Sequence, residues 1–385
     1  TITAGNFNAN GNVLTVGGTT VVGAGGSADA ATLTCAGSAI TLGSGITGDN
    51  IGLTVNQGGT VAGGSGVHIL GSLHMVDHAD AKMTATSHAS GTTINSEATS
   101  GSLSNYNFVI YDGATFDNAD GTVIFTGPTS QIYIQSSASI QSGQPRLHNL
   151  TINASSNTFT LGHNLTVEGN LTITAGTLTT GGSNNALTVA GLVSVTGTLT
   201  GNASAISMGS LLINGGGIYN ATSGTTTIIG ISGVTYPWKS DNTSGSGFVH
   251  NNGKVHFDFG VTQSYYLEED YYYDLEVEHN NDASQLIFSD NIADVGLTVY
   301  GDFTITRGYF RIHTAGDPVT VHGNTSVAAI GKFNDDGNCS GTHTFNGLIT
   351  NLGTFATTSG TNNFNGGVRN LGTFTSNDTL TIGGT

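Results

Sequence analysis

From Leu165 the chain alternates apolar and polar positions: Leu165-Thr-Val167-Glu-Gly169-Asn-Leu171-Thr-Ile173, then Gly176-Thr-Leu178. Alternation at period two is the signature of a strand with one buried face. The pattern returns at Leu187-Thr-Val189-Ala-Gly191-Leu-Val193-Ser-Val195. It appears again at Leu297-Thr-Val299-Tyr-Gly301-Asp-Phe303-Thr-Ile305, and the same step then leads to Val319-Thr-Val321-His-Gly323-Asn-Thr325-Ser-Val327. Fainter copies begin at Leu14 and Val67. Near the C-terminus, Phe345-Asn-Gly347 with Asn351-Leu-Gly-Thr-Phe355 repeats as Phe364-Asn-Gly366 with Asn370-Leu-Gly-Thr-Phe374 at a slightly shorter spacing.

A repeat of roughly 19–22 residues built from short strands predicts an all-β fold, a parallel β-helix or β-solenoid of stacked coils. Glycine closing each strand is expected to supply the positive φ of a tight corner. The absence of a strict six-residue beat favours a right-handed winding. At roughly 22 residues per coil and about 4.8 Å of rise, 385 residues make about 17 coils and about 80 Å of rod. An antiparallel sandwich is the competing fold, but it demands no such period. A longer repeat relates Gly121-Thr-Val123-Ile-Phe125 to Gly253-Lys-Val255-His-Phe257 and, at the same offset, Leu165 to Leu297. Leu150-Thr-Ile152 maps onto Leu275-Glu-Val277 at a shorter offset, so loop lengths differ inside the block. The organisation expected is N-terminal coils over 1–99, a first block over 100–230, a projecting aromatic loop over 231–252, and a second block with the C-terminal coils over 253–385.

Composition narrows the function classes. Eight Lys+Arg against 25 Asp+Glu give a net charge of −17, which opposes binding to nucleic acid or to an anionic membrane surface. No apolar run reaches the ~18–20 residues of a membrane span, so no insertion is expected. Charged residues are only 9% and glycine is 59 of 385, yet regularly spaced Leu, Val, Ile and Phe argue against disorder. Thr1 opens the chain without Met or a signal peptide, as expected of a processed chain or of a piece of a longer one. Several Asn-x-Ser/Thr triplets occur, as chance allows in so Asn- and Thr-rich a chain. Cys35 and Cys339 would fall about 65 Å apart in a straight solenoid and cannot pair within the chain. Buried free thiols are expected.

Neither terminus shows a polar or helical cap. The final Leu380-Thr-Ile382-Gly-Gly-Thr385 followed by Thr1-Ile2-Thr-Ala-Gly-Asn-Phe7 recreates the Leu165–Leu178 unit with one residue missing. Ile2, Phe7, Leu380 and Ile382 are therefore the expected self-assembly residues, joining copies head to tail. A segment cut from a longer repetitive chain is the plainer alternative.

Tyr236, Trp238, Tyr266 and Tyr272, near the carboxylates of Glu268, Glu269 and Asp270, are candidate contacts for a glycan or a partner. Packing of the loop onto the coils is the competing role. Hydrolysis would need two facing carboxylates. Glu276 and Glu278, alternate residues of one strand, are one such pair and Asp335 with Asp336, in a turn, another, with Arg307, Arg311 and His313 the one local cluster of basic groups. Acidic residues otherwise fall singly at outward positions such as Glu168 and Asp302, so no catalytic residue is assigned. His68, His74, Asp77, His78, Asp80 and His88 crowd one window. A metal there would need a turn that joins His74 to His78. Phe333-Asn-Asp335-Asp336-Gly337-Asn338 is oxygen-rich enough for Ca²⁺ but lacks the Gly-Gly-x-Gly-x-Asp beat, so an Asx-turn and no cofactor are expected.

The Leu-Thr-Val-x-Gly-x-Leu-Thr-Ile units, with Gly-Thr-Val-x-Phe and His-Asn-Leu-Thr-Ile-Asn segments, resemble repetitive surface and fibre proteins of bacteria and their phages. The resemblance implies an extracellular, cell-surface or virion-surface scaffold, adhesin or tail fibre. Its partners would be further copies of itself, with surface glycans as the second candidate. A polysaccharide-degrading β-helix enzyme ranks below both.

Overall fold

A computed structural model describes residues 1–25, 30–44, 51–96, 106–135, 146–241, 247–268, 271–280, 284–288, 296–313, 317–335, 341–376 and 379–383. The chain is an all-β solenoid of parallel stacked coils, about 14 turns with a ~23-residue repeat. That is fewer turns than the sequence period predicts, because loops between strands lengthen several of them. No helix occurs among the described residues, so none is long and apolar enough to cross a membrane. The chain divides into two compact units, Thr1–Thr200 and Gly201–Thr385.

In the first unit each turn contributes strands to three parallel columns. The first column runs through Leu14–Val16, Ile40–Leu42, His68–Leu70, Thr92–Ile94 and Thr122–Phe125 into the longer strands Asn149–Leu161, Leu171–Thr179 and Leu187–Val195. Its inward residues form an unbroken ladder in which Val16, Leu42, Leu70, Ile94, Phe125, Ile152, Ile173 and Val195 are successive partners. Leu42 through Val195 in this ladder are buried. Each such side chain is covered by its own coil and by those on either side, so stability is shared between neighbours. The second column holds Thr20–Val22, Leu53–Val55, Leu73–Met75, Tyr106–Ile110 and Ser130–Ile134; the third begins with Gly5–Asn8, Ala31–Thr34, Gly59–Gly64 and Lys82–Thr86.

The second unit repeats the scheme. Its first column pairs Ile206, Thr226, Val255, Leu275, Phe303, Thr325, Ile349 and Val368 in succession. Its second column ends in a stack of phenylalanines: Phe310, Phe333, Phe355 and Phe374 are successive partners. The third pairs Tyr272, Val299, Val321, Phe345, Phe364 and Ile382. Trp238–Ser240 is a strand of the second column, between Leu211–Ile213 and Leu267, rather than part of a projecting loop. Residues 242–246 of the expected loop lie outside the described residues.

Two local devices shape the corners. Gly176, which closes the template, adopts the expected positive φ, but Gly169, Gly191, Gly301 and Gly323 within it do not. They make room between coils, because a Cβ on Gly323 would run into the carbonyl oxygen of Gly301, and one on Gly191 would meet that of Gly169 at 2.5 Å. Positive φ falls instead at the next bend, +84° at both Gly176 and Gly308. At several of these corners an Asn or Asp side chain reaches one coil forward. Asn149 Oδ1 accepts the Asn170 N–H (2.8 Å) and Asn170 Oδ1 that of Leu192 (2.9 Å). Asp274 accepts from Asp302 (2.8 Å), Asp302 from Asn324 (2.7 Å), and Asn324 from Leu348 (3.1 Å). Asp302 is exposed as expected, but it also ties successive coils together.

Candidate functional site

A cluster of charged and polar side chains sits on the outer face of the second unit. Strands Lys254–Phe259, Asp274–His279 and Phe303–Ile312 lie side by side in the first column. Alternation sends Val255, Phe257 and Phe259 inward, so Lys254, His256 and Asp258 face out. Register then sets Lys254 opposite Asp274, His256 opposite Glu276 and Asp258 opposite Glu278. On the following strand a bulge between the partners of Val277 and Glu278 places Thr306 beside Glu276 and Arg307 opposite Glu278.

Lys254 Nζ donates to Glu276 Oε2 at 2.8 Å, and Thr306 Oγ1 donates to Glu276 Oε1 at 3.1 Å. His256 Nε2 stands 4.0 Å from Glu276 Oε1 and 3.6 Å from Glu278 Oε2. Both exceed hydrogen-bond length, and the buried Nε2 has no hydrogen-bond partner. Partial burial would raise the Glu276 pKa, but the Lys254 hydrogen bond, the His256 and Lys254 charges and the Thr306 hydroxyl together hold it below the ordinary value. Glu276 is therefore held ionised. The ligand atoms of His256, Glu276 and Glu278 lie within 4.8 Å of one another, the one such convergence among the described residues. The arrangement can chelate a cation or form a salt-bridge network.

The structure brings Glu276 and Glu278 together on one face, as strand alternation predicts. It does not add Arg311, which lies in the second column opposite Ile287 and donates to Gln285 Oε1 at 3.1 Å. His313 Nδ1 is 3.3 Å from Arg311, whereas Arg307 donates to Asn280 Oδ1 at 3.1 Å. Sequence reasoning missed His256. Its signal is the outward row of Lys254, His256 and Asp258, one turn before that of Asp274, Glu276 and Glu278.

The aromatic candidates divide. Trp238 and Tyr272 are fully buried and meet edge to face at 5.8 Å, so neither can touch a glycan or a partner. Trp238 occupies an inward position of a strand where the sequence predicts a loop, and Tyr272 an inward position of a strand in the second block. Tyr236 and Tyr266 are half-buried and face each other at 5.9 Å. Glu268 is described, while Glu269 and Asp270 lie outside the described residues. Outward aromatic groups occur elsewhere. In the first unit Tyr133 meets Tyr106 (5.4 Å), Tyr111 (5.6 Å) and His163 (4.7 Å). In the second, exposed Tyr300 stacks on His322 at 5.6 Å and 5°, with His250 at 5.5 Å.

The histidine window does not converge. His68 points into the core, where burial above all drives its pKa down to about 4. His74 packs edge-on against Tyr111 at 5.5 Å, and His78 Nδ1 accepts the Asp80 N–H at 3.1 Å. Asp335 is fully buried and accepts from the Thr358 N–H (2.7 Å), the Ser359 N–H (3.1 Å) and the Thr358 hydroxyl. It therefore faces the core beside His343 at 3.8 Å. Asp336, Gly337 and Asn338 lie outside the described residues. Cys35 is a buried free thiol with its pKa pushed up to about 11 by burial, and Cys339 lies outside the described residues.

At the edges, Phe7 is 45% exposed, Leu380 42% and Ile382 57%, while Leu33, Asn362 and Phe364, their counterparts one coil inward, are buried. Ile2 bridges Val22 in the second column and Phe7 pairs with Leu33 in the third. The template match would put them one column earlier each. Short segments of one repeat resemble more than one of its strands, and backbone pairing decides between them. The chain matches no family model, no curated protein and no solved structure.

Proposed function

We propose that this chain is a non-enzymatic structural protein, a β-solenoid that stacks end to end with further copies into an extracellular filament or surface fibre. The observation that supports this is the pair of open edges. Apolar side chains whose counterparts one coil inward are buried stand exposed at Phe7, Leu380 and Ile382. Stacking in register would set the Gly5–Asn8 edge of one copy against Leu380–Ile382 of another, and Leu14–Val16 against Val368–Asn370. Such a heterologous contact does not close, so it grows a filament. Electron microscopy and light scattering of the purified chain test this. Filaments that shorten or vanish in Phe7→Lys and Ile382→Lys support it; monodisperse monomers at high concentration refute it.

The second reading is an adhesin or phage tail fibre that binds surface glycans, favoured by the exposed Tyr300–His322 stack. Sugar rings pack their apolar faces on such planes. Glycan binding that Tyr300→Ala abolishes, on a trimeric native mass, would support it over the filament. Release of reducing ends or unsaturated sugars from a polysaccharide would instead favour an enzyme.

A further inference from the structure

We propose that His256, Glu276 and Glu278 form a divalent-metal site, best suited to Zn²⁺, that clips one turn of the second unit to the next. Three donor atoms from two adjacent strands lie within 4.8 Å of one another, His256 on Lys254–Phe259 and both glutamates on Asp274–His279. Around a tetrahedral zinc, with bonds of about 2.0–2.2 Å, donor atoms stand about 3.4 Å apart. The 3.6 and 4.0 Å from Nε2 to the two carboxylates are about 0.2 and 0.6 Å longer than that spacing and all three atoms lie within 4.8 Å, so binding would draw the carboxylates in by rotamer adjustment.

The His256 Nε2 is buried and has no hydrogen-bond partner. Deprotonated, it points a lone pair at two carboxylates; protonated, its N–H stands too far from either to bond. A cation held between the three satisfies all of them. One imidazole with two carboxylates is a donor set that zinc accepts. Water would complete the shell. Lys254 takes Oε2 of Glu276 and leaves Oε1 turned toward His256, with Thr306 supporting it. The two carboxylates are balanced by Lys254 and by Arg307 opposite Glu278, and Asp258 and Asp274 add negative charge beside a bound dication.

The site stands on paired strands, so its geometry is held by the ladder. Occupancy would stabilise the folded chain in proportion to the logarithm of free zinc. The test uses the whole chain after chelator treatment, with Zn²⁺ as the probe, by calorimetry, elemental analysis of dialysed protein and thermal melting. Expected are a bound zinc whose removal in His256→Ala and Glu278→Gln costs more than about 100-fold in affinity, since even outer-shell partners are worth about 10–100-fold. Zinc should also raise Tm in the parent and increase amide protection over 254–259 and 274–279. Glu278→Gln is isosteric and half-exposed, so it retains the fold if His256→Ala does not. His78→Ala controls for surface histidines and should change nothing. No zinc binding, or zinc binding that survives both site variants, overturns the proposal. So does Ca²⁺ binding of equal strength that His256→Ala leaves intact.

Discussion

Replacing Phe355 by Ala probes the internal stack where its packing is tightest. Phe355 is fully buried between Phe333, parallel to it at 4.6 Å and 11°, and Phe374, at 5.4 Å and 5°. The edges of Phe345 and Phe364 close the site at 5.4 and 5.9 Å. Truncation removes one ring and leaves a cavity walled by four others, each held by its own strand, so collapse is limited. Phe→Ala in a core costs about 3–5 kcal/mol. Aromatic pairs add about 0.5–1.5 kcal/mol each beyond area, which puts this site near the top of the range, about 4–5 kcal/mol. Coils contact only their neighbours, so the loss should be local. Hydrogen exchange read by mass spectrometry should show amides of Gly331–Asn334 and Thr354–Thr357 exchanging about 10³-fold faster, with little change over Lys254–Phe259. Phe355→Leu should cost only about 1–2 kcal/mol. A Phe355→Ala loss below about 1 kcal/mol, or an equal loss over Lys254–Phe259, would refute the reasoning.

Acid should weaken the first unit through His68. Its folded pKa of about 4 lies below the ordinary 6.5, so the unfolded chain binds the extra proton and stability falls as pH drops from 6.5 to 4, by at most about 3 kcal/mol. Urea melts at pH 7, 5 and 4 should show this slope, and His68→Leu should flatten it. Asp302→Ala strands the Asn324 N–H and should cost about 0.5–1.5 kcal/mol in chemical denaturation, whereas Asp302→Asn keeps the acceptor and most of the stability. Gly323→Ala forces a methyl against the Gly301 carbonyl and should cost about 1–3 kcal/mol, while Gly182→Ala, with open space around it, should be neutral or slightly stabilising in the same melts. Trp238, the single tryptophan, should resist acrylamide quenching until the second unit unfolds; ready quenching of the native chain would contradict its burial.

The solenoid is legible in the sequence because one column dictates the next. Leu165 pairs with Leu187, Leu297 with Val319 and Phe345 with Phe364, as the spacings require. The uneven spacing inside the longer repeat is also met, since Val123 pairs with Leu150 and Val255 with Leu275. What the period cannot convey is which way an aromatic ring points once a strand is irregular. Trp238 follows Pro237 in a stretch without the template, so nothing marks it as inward. Glu276 and Glu278 could be paired from alternation alone, but their neighbour His256 required the cross-strand register. The step from His256 to Glu276 is shorter than the one from Leu165 to Leu187, and a slip of a single position would have turned His256 to the other face.

The Asn and Asp side chains at these corners, Asn149, Asn170, Asp274, Asp302 and Asn324, all reach in one direction. Each offers its oxygen to an amide of the coil that comes after it in the chain, so the acceptor is already in place when its donor is made. A polypeptide synthesised from its N-terminus therefore presents, at every such finished turn, a ready acceptor for the turn about to emerge. The molecule can be laid down in order, like courses of brick, with the freshest layer always the template for the next.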